Sequence, residues 1–189
     1  MFVDNIRIFA RAGKGGNGLV SFRRAKFVPK GGPDGGDGGD GGSVILEVDP
    51  HTNDLRSFFY DPKLIATDGV GGQSAKKHGK NGKSVIGKVP PGTIIYRSNA
   101  SSMAEATWLE REGEGIELEK IADLTEIGTR FTLCQGGLGG KGNWHFRSAT
   151  NQAPTEAEMG TEGEEGVFFM ELRRIADAGL VGYPNAGKS

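Results

Sequence analysis

Three tracts built largely of glycine, residues 13–18, 31–42 and 136–142, constrain this chain more than any other feature. Glycine has no Cβ, so it sacrifices side-chain packing and gains close approach of one backbone to another. In the second tract Asp-Gly-Gly occurs three times in succession, from Asp34 to Gly42. A glycine period of three matches polyproline II geometry, in which neighbouring backbones pack through the positions that lack a side chain. Three triplets are too few for collagen. With 33 glycines in 189 residues, against a usual share of about 7%, the composition is also compatible with mobile loops. Packed extended segments and a floppy loop both remain open at this level.

The segments between the tracts are short and strand-like. Residues 2–9 alternate apolar and polar positions, with Phe2, Ile6 and Ile8 on the apolar side. Residues 19–22, 43–48, 84–86, 93–96, 130–133 and 167–170 read the same way, and glycine or proline punctuates the gaps. Such spacing predicts a mainly β sandwich or barrel. Residues 98–119, containing Met103-Ala104-Glu105-Ala106, form the one helix-like or mobile insertion, with a glutamate-rich tail expected to be a solvated surface.

Charge narrows the partners. The net charge of −1 conceals a balance of +6 over residues 1–100 (15 Lys+Arg, 9 Asp+Glu) and −7 over residues 101–189 (8 and 15). A basic front half suits an RNA backbone, although ordinary solvated charge accounts for it more simply. No apolar run approaches the roughly 20 residues of a membrane span, and the N-terminus lacks a signal-peptide pattern. Cys134 is the only cysteine, which fits a reducing compartment, expected to be the cytoplasm.

Several glycine motifs mislead. G-x-G-x-x-G occurs at Gly13/Gly15/Gly18, Gly36/Gly38/Gly41 and Gly137/Gly139/Gly142. A dinucleotide site needs a helix to start at the last glycine, and none of these is followed by a helix-like segment. The calcium nonapeptide needs an apolar residue where Gly42 stands, and the EF-hand needs acids two apart rather than three. His51, His78 and His145 are scattered, without metal-ligand spacing.

The strongest chemical motif is Gly182-Tyr183-Pro184-Asn185-Ala186-Gly187-Lys188-Ser189, an uninterrupted G-x-x-x-x-G-K-S. In a P-loop the backbone N–H groups converge on a β-phosphate. Lys188 would reach the β/γ-phosphates and Ser189 would ligate Mg²⁺. The apolar run 175–181 ahead of it suits the buried first strand of a parallel sheet. The helix after the loop, an Asp-x-x-Gly element and an Asn-Lys-x-Asp element are not in these 189 residues. The chain by itself is therefore expected neither to bind nucleotide tightly nor to hydrolyse it.

A resemblance adds to this reading. Phe146-Arg147-Ser148-Ala149-Thr150-Asn151-Gln152-Ala153-Pro154, then Gly160 and Gly163-Glu164-Glu165-Gly166, is similar to the signature of the Obg family of GTPases. The three glycine tracts, Val89-Pro90-Pro91-Gly92-Thr93 and Ala122-Asp123-Leu124-Thr125 occur in that family's order. Two features depart from it: Asn81-Gly82-Lys83-Ser84 lacks a customary aspartate, and residues 98–119 are longer than usual. The resemblance implies an Obg fold over residues 1–174, with glycine-rich polyproline II helices projecting from an eight-stranded β-barrel. Residues 175–189 would begin an α/β GTPase domain. It also implies GTP and GDP as ligands, Mg²⁺ as cofactor, K⁺ as a second cation near Asn185, and action with the large ribosomal subunit in assembly and stress response. Lys14, Arg23, Arg24, Lys26, Lys30, Lys76, Lys77, Lys80, Lys83 and Lys141, in or beside the tracts, are then the candidate rRNA contacts. The alternatives are a protein-interaction module regulating an attached P-loop NTPase, and an unrelated P-loop ATPase or kinase.

Overall fold

The computed structural model describes residues 3–24, 31–100, 102–112 and 117–173, the side chains of 108–112 excepted. Eight strands form: β1 (Asn5–Arg11), β2 (Val44–Val48), β3 (Lys63–Ile65), β4 (Val85–Val89), β5 (Thr93–Ser98), β6 (Leu118–Leu124), β7 (Arg130–Cys134) and β8 (Glu165–Leu172). They do not close into the expected barrel. They make two open sheets, one of five strands in the order β3-β1-β8-β5-β6 and one of three in the order β4-β2-β7. The ladders explain why. β3 is three residues long and spends them on a parallel pairing with β1, so it does not bridge to β4. At the other side β6 pairs with β5 while β7 pairs with β2, so the chain changes sheets within the turn at 125–129.

The two sheets share one core. Period-two alternation puts Val44, Leu46 and Val48 of β2 inward, opposite Ile8 and Ala10 of β1 and Phe168 and Met170 of β8. Fully burying each large side chain contributes about 1.5–3 kcal/mol. Helix α1 (Arg56–Tyr60) adds Phe58, whose ring would lie 3.0 Å from a Cβ on Gly87. Cys134 is buried here, and burial first, then Glu164, pushes its thiol up to about 12. It is a packing residue, with no thiolate at neutral pH.

The 98–119 insertion is ordered over helix α2 (Met103–Glu112) and then supplies part of β6. Ser102 caps the helix by accepting the Glu105 N–H at 3.2 Å. Ala106 packs with Ala100 and Val167, beside Phe9 and Met103. Those partners lie on the outer face of the five-stranded sheet, because β1 and β8 turn Ile8, Ala10, Phe168 and Met170 the other way.

The glycine tracts are ordered. Six extended legs leave one end of the sheets as three hairpins: 13–19 out and 34–42 back, 67–73 out and 76–83 back, 136–142 out and 158–163 back. Every third residue donates its N–H to a neighbouring leg. Gly13, Gly16 and Leu19 donate to Gly42, Gly39 and Gly36; Gly36, Gly39 and Gly42 donate to Gln73, Val70 and Thr67; Gly69 and Gly72 donate back to Lys14 and Asn17, all at 2.8–3.0 Å. Gly38 and Gly41 donate to Gly140 and Gly137, which donate to Gly16 and Gly13. Legs 13–19 and 34–42 are therefore the two central rods. Other amides find side chains: Gly142 and Gly139 donate to Asp37 and Asp40 at 2.7 and 2.8 Å, Gly160 to Asn17 at 3.0 Å, and Gly35 to buried Asn143 at 2.9 Å. The period of three is that of polyproline II, and at that rise a six-residue leg reaches roughly 20 Å from the sheets.

This packing needs glycine. A Cβ on Gly38 would sit 1.9 Å from the Gly16 carbonyl oxygen, whereas one on Gly71 would meet only the Asn17 oxygen at 3.4 Å. Gly38→Ala is expected to destabilise the chain by about 3 kcal/mol or more, and Gly71→Ala by no more than about 0.5 kcal/mol. Urea unfolding of the two variants checks this, and equal effects would contradict backbone-on-backbone packing.

Candidate functional site

The far ends of the three hairpins lie together, and they gather positive charge. The first hairpin brings Arg23 and Arg24, the second Lys76 and Lys77, the third Arg147, all exposed. A Cβ on Gly32 would lie 4.0 Å from Arg147 Nη1, so this guanidinium reaches the end of the first hairpin. None of the five pairs with a carboxylate among the described residues.

The turn of the second hairpin is strained. Ala75 and Lys76 have φ of 61° and 56°, the left-handed region, which costs a non-glycine residue about 1–2 kcal/mol. Asp34 holds them there: its carbonyl accepts the Lys76 N–H at 2.7 Å and its Oδ2 the Ala75 N–H at 3.3 Å. Strain at an exposed tip points to function rather than packing. Two buried polar atoms, Asp34 Oδ1 and Trp144 Nε1, also lack a partner among the described residues, and both belong to this end.

Behind the turn, Asp37 joins the hairpins. Its Oδ1 accepts the Gly142 N–H, and its Oδ2 lies 2.7 Å from His145 Nε2 and 3.4 Å from His78 Nδ1. Burial would raise the pKa of this carboxyl, but the Gly142 and His145 hydrogen bonds and the charges of His145 and His78 hold it below the usual value. His145 stacks on Trp144 with centroids 3.8 Å apart, and Lys76 Nζ lies 5.0 Å from the centre of that ring. The contacts here are hydrogen bonds and charge pairs. Among the described residues no group of three His, Cys, Asp or Glu is placed to hold a metal ion.

The flanks of the sheath differ in sign. The return leg 76–83 bonds only to legs 34–42 and 67–73; the return leg 158–163 bonds only to legs 13–19 and 136–142. These two legs are thus the outermost and lie on opposite sides. The first exposes Lys76, Lys77, Lys80 and Lys83 and has no acid; the second and its flanks expose Glu156, Glu158, Glu162 and Glu164 and have no base.

The expected cationic residues therefore separate. Arg23, Arg24, Lys76 and Lys77 meet at the tip, with Lys141 just below it. Lys80 lies midway along the basic flank, and Lys83 lies near the sheets. Lys14, also near the sheets, is paired with Glu162 at 2.5 Å and is in part neutralised. Lys26, Lys30 and the whole loop Gly182, Tyr183, Pro184, Asn185, Ala186, Gly187, Lys188 and Ser189 lie outside the described residues, as does the expected boundary at residue 174. The sequence reading assigned Arg147 and Trp144 to no site and weighed His78 and His145 only as metal ligands. An aromatic–imidazole pair directly after the third tract was a visible signal for Trp144 and His145; their link to Asp37, 108 residues away, was not.

Comparison with known proteins identifies the family. A family profile described as GTP1/OBG matches residues 3–174. Proteins named GTPase Obg are 50% identical in Methylacidiphilum infernorum, 50% in Nautilia profundicola and 51% in Chlorobium chlorochromatii. In each case all of this chain is aligned, with 52%, 48% and 51% of the relative. The chain thus spans about half the length of the curated relatives it matches. No helix among the described residues is long and apolar enough to cross a membrane. On this near-complete match, the chain belongs to the GTP1/OBG family.

Proposed function

We propose that these residues form the ribosome-docking part of a cytoplasmic GTPase that acts on the large ribosomal subunit during its assembly and under stress. The observation that carries this reading is the meeting of Arg23, Arg24, Lys76, Lys77 and Arg147 at the end of a stiff sheath. Cations fixed in space engage phosphates without the entropy cost of ordering a loop, and each phosphate neutralised releases counterions. The basic flank at Lys80 and Lys83 extends the same surface, while the glutamate flank turns away from a polyanion. The relatives' name, GTPase Obg, and the P-loop sequence support GTP as the ligand of residues 182–189. In that role Lys188 meets the β/γ-phosphates and Ser189 holds Mg²⁺, with K⁺ beside Asn185. Docking and the nucleotide state then belong to different parts of one polypeptide.

A second reading, a protein-interaction module that regulates an attached NTPase and meets stress-response partners, has one observation in its favour. On the acidic side Leu138 and Met159 are 66% and 82% exposed, an apolar pair among glutamates.

Two measurements test the primary reading. Arg23→Glu with Arg24→Glu is expected to weaken binding of the protein to purified large subunits roughly tenfold or more, and to lower the slope of log affinity against log salt by about 1–2. Unchanged affinity at low salt would contradict docking through the tip, and retained binding to proteins alone would favour the second reading. In the longer protein, Lys188→Ala is expected to reduce GTP affinity roughly 10- to 100-fold in a fluorescent-nucleotide titration; an unchanged affinity would remove the P-loop assignment.

A further inference from the structure

We propose that Asp37 is the positioning residue that aligns the three hairpin ends into one docking surface. The inference rests on the docking reading above, and it deepens that reading by naming what sets the surface's shape. Asp37 sits on the return leg of the first hairpin, and its carboxylate is the meeting point of the other two. Through Oδ1 it takes the Gly142 N–H at 2.7 Å, where the third hairpin leaves its outward leg. Through Oδ2 it takes His145 at 2.7 Å and faces His78, on the second hairpin, at 3.4 Å. The Asp37 side chain is only 16% exposed and that of His145 32%, so solvent screens the Gly142 and His145 contacts less than the one to the more exposed His78.

The consequence reaches residues that Asp37 does not touch. His145 fixed by Asp37 presents its ring to Trp144, and Trp144 presents its face to Lys76. Lys76 is one of the two strained residues of the second turn. One carboxylate therefore sets the place of an aromatic platform on one hairpin and of an ammonium on another. The neighbouring acids of the same leg are already engaged: Asp34 holds the Ala75 amide and Asp40 the Gly139 amide. Among the described residues, His78 and His145 are the charged groups that act on Asp37.

Position and charge make opposite predictions for Asp37→Asn. The variant keeps the shape and an oxygen for the Gly142 N–H, but it removes a negative charge from a cationic tip. If Asp37 acted only through charge, the variant would bind RNA more tightly. As a positioning residue it should bind the large subunit about tenfold more weakly. His145→Gln should weaken binding in the same direction, and adding it to Asp37→Asn should cost little more. Tighter or unchanged binding by Asp37→Asn would overturn the proposal.

An arm without ribosomes separates this idea from the docking reading. In ¹H–¹⁵N spectra of the 189-residue chain, Asp37→Asn should shift the amide signals of Ala75, Lys76 and Trp144 while those of β2 stay in place. Signals that move only at Gly142 and the two histidines would overturn the proposal. If Arg23→Glu with Arg24→Glu leaves ribosome binding unchanged, the docking reading fails, and the spectra alone decide for or against Asp37 as the organiser of the tip.

Discussion

Backbone-to-backbone contact at glycine is the constraint from which the rest of this structure follows. Carbonyl oxygens of one leg occupy the space in which a neighbouring residue would carry its Cβ, as the Gly16 oxygen does at Gly38 and the Gly13 oxygen at Gly41. The large apolar side chains Val70, Leu138 and Met159 on the legs are exposed rather than buried between them. The legs cohere because their amides and carbonyls are satisfied across legs, in cycles that return from 13–19 through 34–42 and 67–73 to 13–19. A buried amide left unpaired costs about 1–3 kcal/mol. The Asp and Asn residues that punctuate the glycines supply the acceptors a three-residue repeat would otherwise leave missing. Rigidity here comes from hydrogen-bond closure rather than from a hydrophobic core.

The sheets serve as the base of this device. Legs continue from or lead into β1, β2, β3, β4, β7 and β8, so the ordinary apolar core fixes where all six legs start or finish. The two strands left over, β5 and β6, flank the α2 insertion, which packs on the outer face of the larger sheet, away from the legs. Open sheets suffice for this task, since each leg needs an anchored end rather than a closed ring. A three-residue repeat also determines what the sheath shows to its surroundings: positions not occupied by packing glycine face outward. Lysines fill them on the 76–83 leg, and glutamates fill them along 156–164. Charge segregation between the flanks is thus a product of the same periodicity that packs the interior.

Much of this was legible before the fold was known, and the limits are physical. The Asp-Gly-Gly triplets carried the period but not the decision between packing and mobility, because that depends on partners far along the chain, such as Gly140 for Gly38. Apolar alternation located β2, β5, β7 and β8 well, since each buries one full face. It overextended residues 19–22, where only the bridge between Phe22 and Pro33 forms, and it passed over β3 and β6. β3 is three residues long, and β6 is mostly exposed at a sheet edge, so neither has a buried face to announce it. Barrel closure was an expectation of resemblance, and the ladders of β6 and β7 to different sheets overturn it. Lys14 looked like its neighbours in sequence, yet Glu162, 148 residues away, takes up its charge.

Amide hydrogen exchange on the glycines tests the account at its root. Gly13, Gly16, Gly39 and Gly42 donate at 2.8–2.9 Å to other legs, so their amides should exchange as slowly as those of β2 and β8, by the same global opening. Exchange at these four glycines near the rate of an unfolded chain, with β2 and β8 still protected, would show that the sheath is not a structure at all.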